Sequence, residues 1–314
     1  MMGRRLRFIP EGSLVEVTCR TLQGRFLLQP TCGLPSIIIG ILARAKERYP
    51  LRLHAFAFLS NHFHLLVSPE NAQQLAEFMR YLNTNLSKEA GRVHNWHGPL
   101  FVRRYQAIPV SDEELTQVSR LRYILAQGCK EGLVSRPTDW PGAHCARSLR
   151  EGTAVEGIWF DRTQEWMARN RGETYRPQDF ATDYLLELDP LPCWQEMSPD
   201  LYREMVGELI EKIESEAERL CRDRAMQPLG VTAILSQHPH NRPKKVAKSP
   251  APLIHAATGK ARREFRRAYG VFVAAFRKAA QRVRRGDHGA AFPAGAFPPP
   301  RPFVLLDIRG APGC

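Results

Sequence analysis

The chain has 314 residues, 43% of them hydrophobic and 25% charged, and its 45 Lys and Arg against 32 Asp and Glu leave a net charge of +13. That length is enough for a substantial core and more than one structural unit, and the charge favours a polyanionic partner such as nucleic acid. No run of eighteen apolar residues argues for a membrane helix, and seven irregularly spaced cysteines without a Cys-x-x-Cys pair argue against a disulfide framework or a zinc site.

The opening Met-Met-Gly-Arg-Arg-Leu-Arg lacks the apolar stretch and small-residue cleavage site of a signal peptide, so a cytoplasmic location is expected. Leu14 to Cys19 alternates apolar and polar residues and predicts a first strand, which Gly24 to Leu28 could extend or pair with. Pro35 to Arg48, carrying Ile37, Ile38, Ile39, Ile41, Leu42 and Ala45, predicts a helix with a broad buried face. Leu51 to Val67 is apolar except for the turn-prone pair Ser60-Asn61 and predicts a hairpin. A helix from about Gln73 to Val93 and a strand from about Val102 to Val110 follow.

The second hairpin strand carries His62-Phe63-His64. Strand side chains alternate, so the two imidazoles share a face about 7 Å apart while Phe63 and Leu65 take the other. Such a pair can converge on one divalent cation, or it can simply be two partly exposed strand histidines. From Ser111 the chain predicts another helix. Ser111 and Glu114 fit a capping box, Leu115, Val118, Leu121, Ile124 and Leu125 recur at helical spacing, and Gly128 offers a stop. Tyr123 and Gln127 lie four apart on it and share a face. A tyrosine oxygen can attack phosphorus, and a glutamine carbonyl is a neutral ligand for a hard cation. The sequence Trp96-His97-Gly98-Pro99-Leu100-Phe101-Val102-Arg103-Arg104-Tyr105 interleaves aromatic and basic residues, as base stacking with phosphate contact requires, though a core strand with two exposed arginines reads the same.

Beyond residue 150 the charge changes sign. Residues 1–150 carry a net +9, residues 151–240 a net −9, and residues 241–314 a net +13. Asp200 to Gln227 predicts an amphipathic packing helix with Leu201, Met205, Leu209, Ile213 and Leu220 along one side. Asn241 to Leu253 reads as a basic linker. His255 to Arg285 predicts a long helix with Phe265, Tyr269, Phe272, Phe276 and Val283 near one face, and with ten basic residues against the single acid Glu264. Two readings stay open for it: contact with a DNA backbone, or docking on the acidic middle. Ala290 to Pro302 is Pro/Gly-rich and extended. A second His-x-His, His238-Pro239-His240, has proline at its centre and polar flanks and reads as loop histidines.

The order of strand, helix, paired strands, helix, strand, helix is an α+β pattern with a mainly antiparallel sheet. Together, Phe58-Leu59-Ser60-Asn61-His62-Phe63-His64-Leu65-Leu66-Val67, Arg103-Arg104-Tyr105 with Pro109-Val110, Tyr123-Ile124 through Gly132-Leu133-Val134, and Asp139-Trp140-Pro141 resemble the single-tyrosine HUH transposases, in particular the REP-associated tyrosine transposases and their insertion-sequence relatives. The resemblance covers residues 1 to about 150. It implies a ferredoxin-like antiparallel sheet flanked by helices, the HUH nuclease core, at 1–150. An acidic helical extension at 151–240 and a basic linker, basic helix and Pro-rich tail at 241–314 would follow it.

It further implies a metal-dependent DNA transposase that cleaves and rejoins single-stranded, hairpin-bearing DNA. Tyr123 would be the nucleophile forming a 5′-phosphotyrosine, His62, His64 and Gln127 the ligands of Mg²⁺ or Mn²⁺, and Arg103 and Arg104 DNA contacts. Many relatives carry Asn where this chain has Gln127. The resemblance allows a homodimer or a monomer. The competing expectation is a domesticated regulator that binds single-stranded DNA hairpins without turnover.

Overall fold

The computed structural model describes residues 5–31, 33–243 and 251–299. Lys244, Lys245 and Lys248 of the expected linker, and the tail from residue 300, lie outside the described residues. Strand β1 is Leu14–Arg20, α1 is Leu34–Arg48, β2 and β3 are Arg52–Leu59 and His62–Ser68, α2 is Ala72–Val93, β4 is Gln106–Val110 and α3 is Glu114–Leu125. The strands form one four-stranded sheet in the order β2-β3-β1-β4, every neighbouring pair antiparallel. That is the ferredoxin-like arrangement, reached by a β1-α1-β2 crossover, a tight hairpin and a β3-α2-β4 crossover.

The alternation seen in the sequence sorts the two faces of this sheet. Phe63, Leu65 and Val67 on β3, with Val15, Val17 and Cys19 on β1, are buried and share one core with α1 and α2. Phe58 stacks on its cross-strand partner Phe63 at 4.9 Å between ring centres, the kind of pair that pins register. The other face carries His62 and His64 with Arg20 and Thr18 opposite them, and α3 lies across it.

Helix α1 is preceded by Gly33 at its N-cap, whose φ of 75° is costly for other residues, and has Pro35 in its first turn, where a missing N–H costs nothing. Its breadth of buried surface has a tertiary cause. One side joins the sheet core, and the other is covered by a second sheet, β5 (Val155–Phe160) paired antiparallel with β6 (Ala181–Leu186). The approach is close enough that a Cβ at Gly40 would lie 2.2 Å from the Ile158 carbonyl oxygen.

Among the described residues the further α-helices are α4 (Ala146–Glu151), α5 (Arg162–Asn170), α6 (Pro199–Asp223), α7 (Val231–Leu235) and α8 (Gly259–Arg284). Helix α6 packs on α3 and α4 through Val206, Leu209, Ile210, Ile213 and Ala217. Arg162, at the start of α5, forms a two-pronged ion pair with Glu89 of α2.

Several local expectations are corrected. Residues 24–28 form no strand: Gln23 and Gly24 have φ of 55° and 71°, which turns the chain. Strand β4 begins at Gln106 instead of Val102, whose side chain is 61% exposed. The Ser111/Glu114 capping box does not form, because Glu113 occupies the N-cap and the Ser111 hydroxyl donates to the Glu113 carboxylate. Leu115 and Leu201, the first residue of each expected stripe, are exposed, while Leu121, Ile124 and Leu125 on α3 and Leu209 and Ile213 on α6 are buried as expected. Helix α8 begins at Gly259, not His255, because His255 bridges in parallel to Val110 at the end of β4 and Thr258 caps the helix.

Candidate active site

β3 holds His62 and His64 on the face toward α3, with ring centres 5.1 Å apart. Tyr123, in the last turn of α3, stands over His64 with ring centres 5.5 Å apart. Gln127 lies just past the end of α3, where Gly128, at φ 90°, breaks the helix. Instead of projecting from a helical turn as expected, Gln127 folds back, and its Nε2–H donates to the Tyr123 carbonyl at 2.9 Å. That bond fixes the amide and leaves Oε1 buried without a hydrogen-bond partner. Gln127 also lies close enough to His62 to favour its charged form.

Both imidazoles are oriented by bonds to Nδ1. His62 Nδ1 lies 2.7 Å from Asn61 Oδ1, and the Asn61 amide is itself held by donating Nδ2–H to the Gly24 carbonyl. His64 Nδ1 lies 3.1 Å from Glu16 Oε1 and 3.1 Å from Thr18 Oγ1. A carboxylate beside His64 and an amide oxygen beside His62 can only accept, so Nδ1 carries a proton on each ring and Nε2 is the nitrogen left to face a metal. This is how second-partner bonds prepare a histidine for a metal. Burial, and then the charges of His64, Arg20 and Lys130, push His62 well below the usual histidine pKa. A neutral imidazole is what coordination needs.

Cations surround the tyrosine. Lys130 Nζ lies 3.7 Å from the Tyr123 ring centre and the Arg120 guanidinium 4.4 Å from it. Arg20 stands opposite His62 on β1. Glu16 is buried between them. Its Oε2 lies 3.0 Å from His255 Nε2 and 3.3 Å from Arg120 Nη1. Burial alone would raise the Glu16 pKa, but the close contacts with His255 and His64 and the charge of Arg120 outweigh it and hold the carboxylate well below its usual range.

The structure thus brings His62, His64, Tyr123 and Gln127 together. Arg103 and Arg104 stand apart from them, exposed in the loop before β4. His238 and His240 lie in a loop after α7, where His240 packs edge-on against Trp96. Among the described residues no group of three or more His, Cys, Asp or Glu side chains is arranged to hold a metal ion. The two imidazoles with the unpartnered amide oxygen of Gln127 are a donor set of another kind, and it fits a cation that takes mixed nitrogen and oxygen ligands. Sequence reasoning missed Glu16, Thr18, Arg20, Arg120, Lys130 and His255. The first three were within reach, since they alternate along β1 and so share the face that the histidines occupy.

Residues 35–127 match the family described as "Transposase IS200 like", and this segment contains His62, His64, Tyr123 and Gln127. The family resemblance read from the sequence is thereby confirmed over that span. A solved REP-associated tyrosine transposase bound to a REP hairpin is similar at 18% identity and a TM-score of 0.40, covering 48% of this chain and 87% of that one. A Deinococcus radiodurans R1 protein provisionally named a transposase is similar at 16% identity and a TM-score of 0.27, covering 38% of this chain and 93% of that one. No curated protein matches the chain. Among the described residues no helix is long and apolar enough to cross a membrane.

Proposed function

We propose that this protein is a cytoplasmic, metal-dependent DNA transposase that cleaves and rejoins single-stranded, hairpin-bearing DNA. The observation that carries the reading is the convergence of Tyr123 with His62, His64 and the unpartnered Gln127 Oε1 at one end of α3. Mg²⁺ or Mn²⁺, held by His62, His64 and Gln127, would supply charge neutralisation on the non-bridging phosphate oxygens.

The protein's own residues do the rest. The Tyr123 phenol gives up its proton to solvent as its oxygen attacks phosphorus in line, a Tyr–O–P bond forms, the P–O3′ bond breaks, and the departing oxygen takes up one proton from solvent and leaves as a 3′-hydroxyl. The 5′-phosphotyrosine conserves the energy of the broken bond, so a second 3′-hydroxyl can displace the tyrosine and reseal the strand without nucleotide hydrolysis. Arg120 and Lys130, over the Tyr123 ring, offset the charge of the bound phosphate. Glu16 and Asn61 orient the imidazoles through Nδ1. Arg103 and Arg104, exposed beside Tyr105, contact the DNA backbone.

The organisation that goes with this reading is a nuclease unit at 1–150 followed by the acidic and basic extensions. Incubating the protein with labelled hairpin oligonucleotides and Mn²⁺ and looking for a denaturation-resistant protein–DNA adduct tests it. An adduct supports turnover. Tight hairpin binding with no adduct across a broad panel favours the hairpin-binding regulator instead.

A further inference from the structure

Helix α8 turns its aromatic side inward and its charge outward. Phe8 stacks on Phe272 at 4.4 Å between ring centres and lies 5.6 Å from Phe265, while the Tyr269 hydroxyl donates to the Leu6 carbonyl. Arg262, Arg263, Arg266, Arg267, Arg277 and Lys278 are all exposed. Among the described residues Arg282 is the only cation of the helix paired with a carboxylate, that of Asp287. No acid of residues 151–240 pairs with the helix among the described ion pairs; its aromatic side packs on the N-terminal segment instead.

This packing forms a cleft of about 460 Å³ between residues 5–8, the loop 103–105, most of β4, residues 251–253 and the first half of α8. Arg5, Arg7, Arg103 and Arg104 line it with Tyr105 and Tyr269, and no Asp or Glu does. The Arg7 guanidinium is sandwiched 4.5 Å from the Tyr105 ring centre and 4.0 Å from that of Phe297. Its Nε and Nη1 are buried with no hydrogen-bond partner. Two buried guanidinium nitrogens without an acceptor are costly, and an anion entering the cleft would remove that cost. Flat aromatic rings beside unpaired arginines are the combination that holds a base by its face and a phosphate by its charge.

The cleft also adjoins the Tyr123 site. Gln106, which lines it, pairs across β4–β1 with Thr18, and Thr18 pairs across β1–β3 with His64. Two strand spacings, about 10 Å, separate Gln106 from His64 on one face of the sheet.

We propose that this cleft is a second binding site for single-stranded nucleic acid, continuing onto the exposed Arg262 and Arg266 of α8. It would hold nucleotides that run past the scissile phosphate. Two of its walls, residues 5–8 and α8, lie outside the segment that matches the transposase family. The proposal rests on the DNA-processing reading only for the strand's route to Tyr123, and its test is independent of cleavage.

Binding of the full-length protein to a labelled oligothymidylate of about 30 nucleotides, long enough to fill such a groove, is measured by anisotropy over a range of salt concentrations. Arg5→Glu/Arg266→Glu should weaken binding at least tenfold and flatten the plot of log affinity against log salt by about 1.4, the share of two phosphate contacts. Ultraviolet crosslinking of the unaltered protein gives a readout that does not depend on the variant folding. Crosslinked peptides should map to residues 5–8, 103–109 and 265–269.

An unchanged affinity and slope in a folded variant, or crosslinks confined to other segments, overturns the proposal. So does binding to anionic lipid vesicles without binding to the oligothymidylate. Failure to form a Tyr123 adduct while these binding effects hold would sink the transposase reading and leave the cleft standing.

Discussion

Glu16 and His64, on adjoining strands, stand 3.1 Å apart between Oε1 and Nδ1, and both side chains are buried. This contact decides which nitrogen of His64 is free to bind a metal. The other carboxylate oxygen holds His255, so residues far apart in the chain meet on one acid. Glu16→Gln keeps the shape and removes the charge. It should lower Mn²⁺ affinity about tenfold to a hundredfold, the usual cost of losing a group that orients a metal ligand. Calorimetric titration with Mn²⁺ reads this directly, and an unchanged affinity would remove Glu16 from that role.

Tyr123→Phe deletes a single oxygen and leaves the ring beside Lys130 and Arg120. The variant should bind hairpin DNA as the parent does and form no covalent adduct. A gel of denatured protein with end-labelled DNA checks both lanes at once. Persistence of the adduct would transfer the nucleophile's role to another residue, with Tyr105 next in line.

Gln127→Leu separates a ligand from a packing residue. The carbonyl oxygen of Gln127 is buried without a partner, so its loss relieves one unpaired group while the bond to the Tyr123 carbonyl is forfeited. The two effects are each about 1 kcal/mol and opposed, so denaturant stability should change little. Mn²⁺ affinity and adduct yield should both fall. Stability and metal affinity that are both unaffected would mean the amide is not a ligand.

Gly40→Ala probes the contact between α1 and the β5–β6 hairpin. The added Cβ would meet the Ile158 backbone, which cannot move without displacing the strand. Destabilisation by about 3 kcal/mol is expected, at the upper end for overpacking. Gly207→Ala in α6 is the control, since nothing lies within 4 Å of its Cβ position, and it should be neutral or stabilising by up to about 1 kcal/mol. Thermal melting of both variants distinguishes the outcomes.

Stability should also fall in mild acid through two buried histidines that are not assigned to the site. Burial pulls His54 and His144 down to about 4. His54 lies between the Pro190 carbonyl, 2.8 Å from Nδ1, and the Ser68 hydroxyl, 2.8 Å from Nε2, while His144 Nδ1 accepts from the Ala146 N–H. Each is therefore neutral in the folded chain and gains a proton more readily when unfolded. The stability they confer is complete above about pH 6.5 and is lost as pH falls toward 4. The loss approaches about 1.4 kcal/mol per pH unit for each histidine. Urea midpoints measured between pH 7 and pH 4.5 should decline, and replacing either histidine should flatten the decline.

Most of the secondary structure was legible because its signals are local. Alternation from Leu14, the Ser60-Asn61 turn and the isoleucine run of α1 each specify an element within a few residues. The ends of elements were less legible, because other parts of the chain set them. Glu113 caps α3 while its carboxylate also accepts from the Ala257 and Thr258 N–H groups, a competition invisible within the window Ser111 to Glu114.

The sequence by itself determined the chemistry available to this protein. It put two imidazoles on one strand face, and it placed a tyrosine and a glutamine at helical spacing before a glycine that stops the helix. It also carried enough family pattern to be matched over residues 35–127. Only the tertiary structure decided how those groups are set. The antiparallel pairing of β1 with β3 brings Glu16 and Thr18 to His64, and the crossing of α3 brings Tyr123 over it. The return of the chain at residue 255 closes the acid from the far side. These are contacts between residues about 50 to 240 positions apart, fixed by strand register and helix packing. No local pattern carries that information, which is why the side chains could be named in advance and their partners could not.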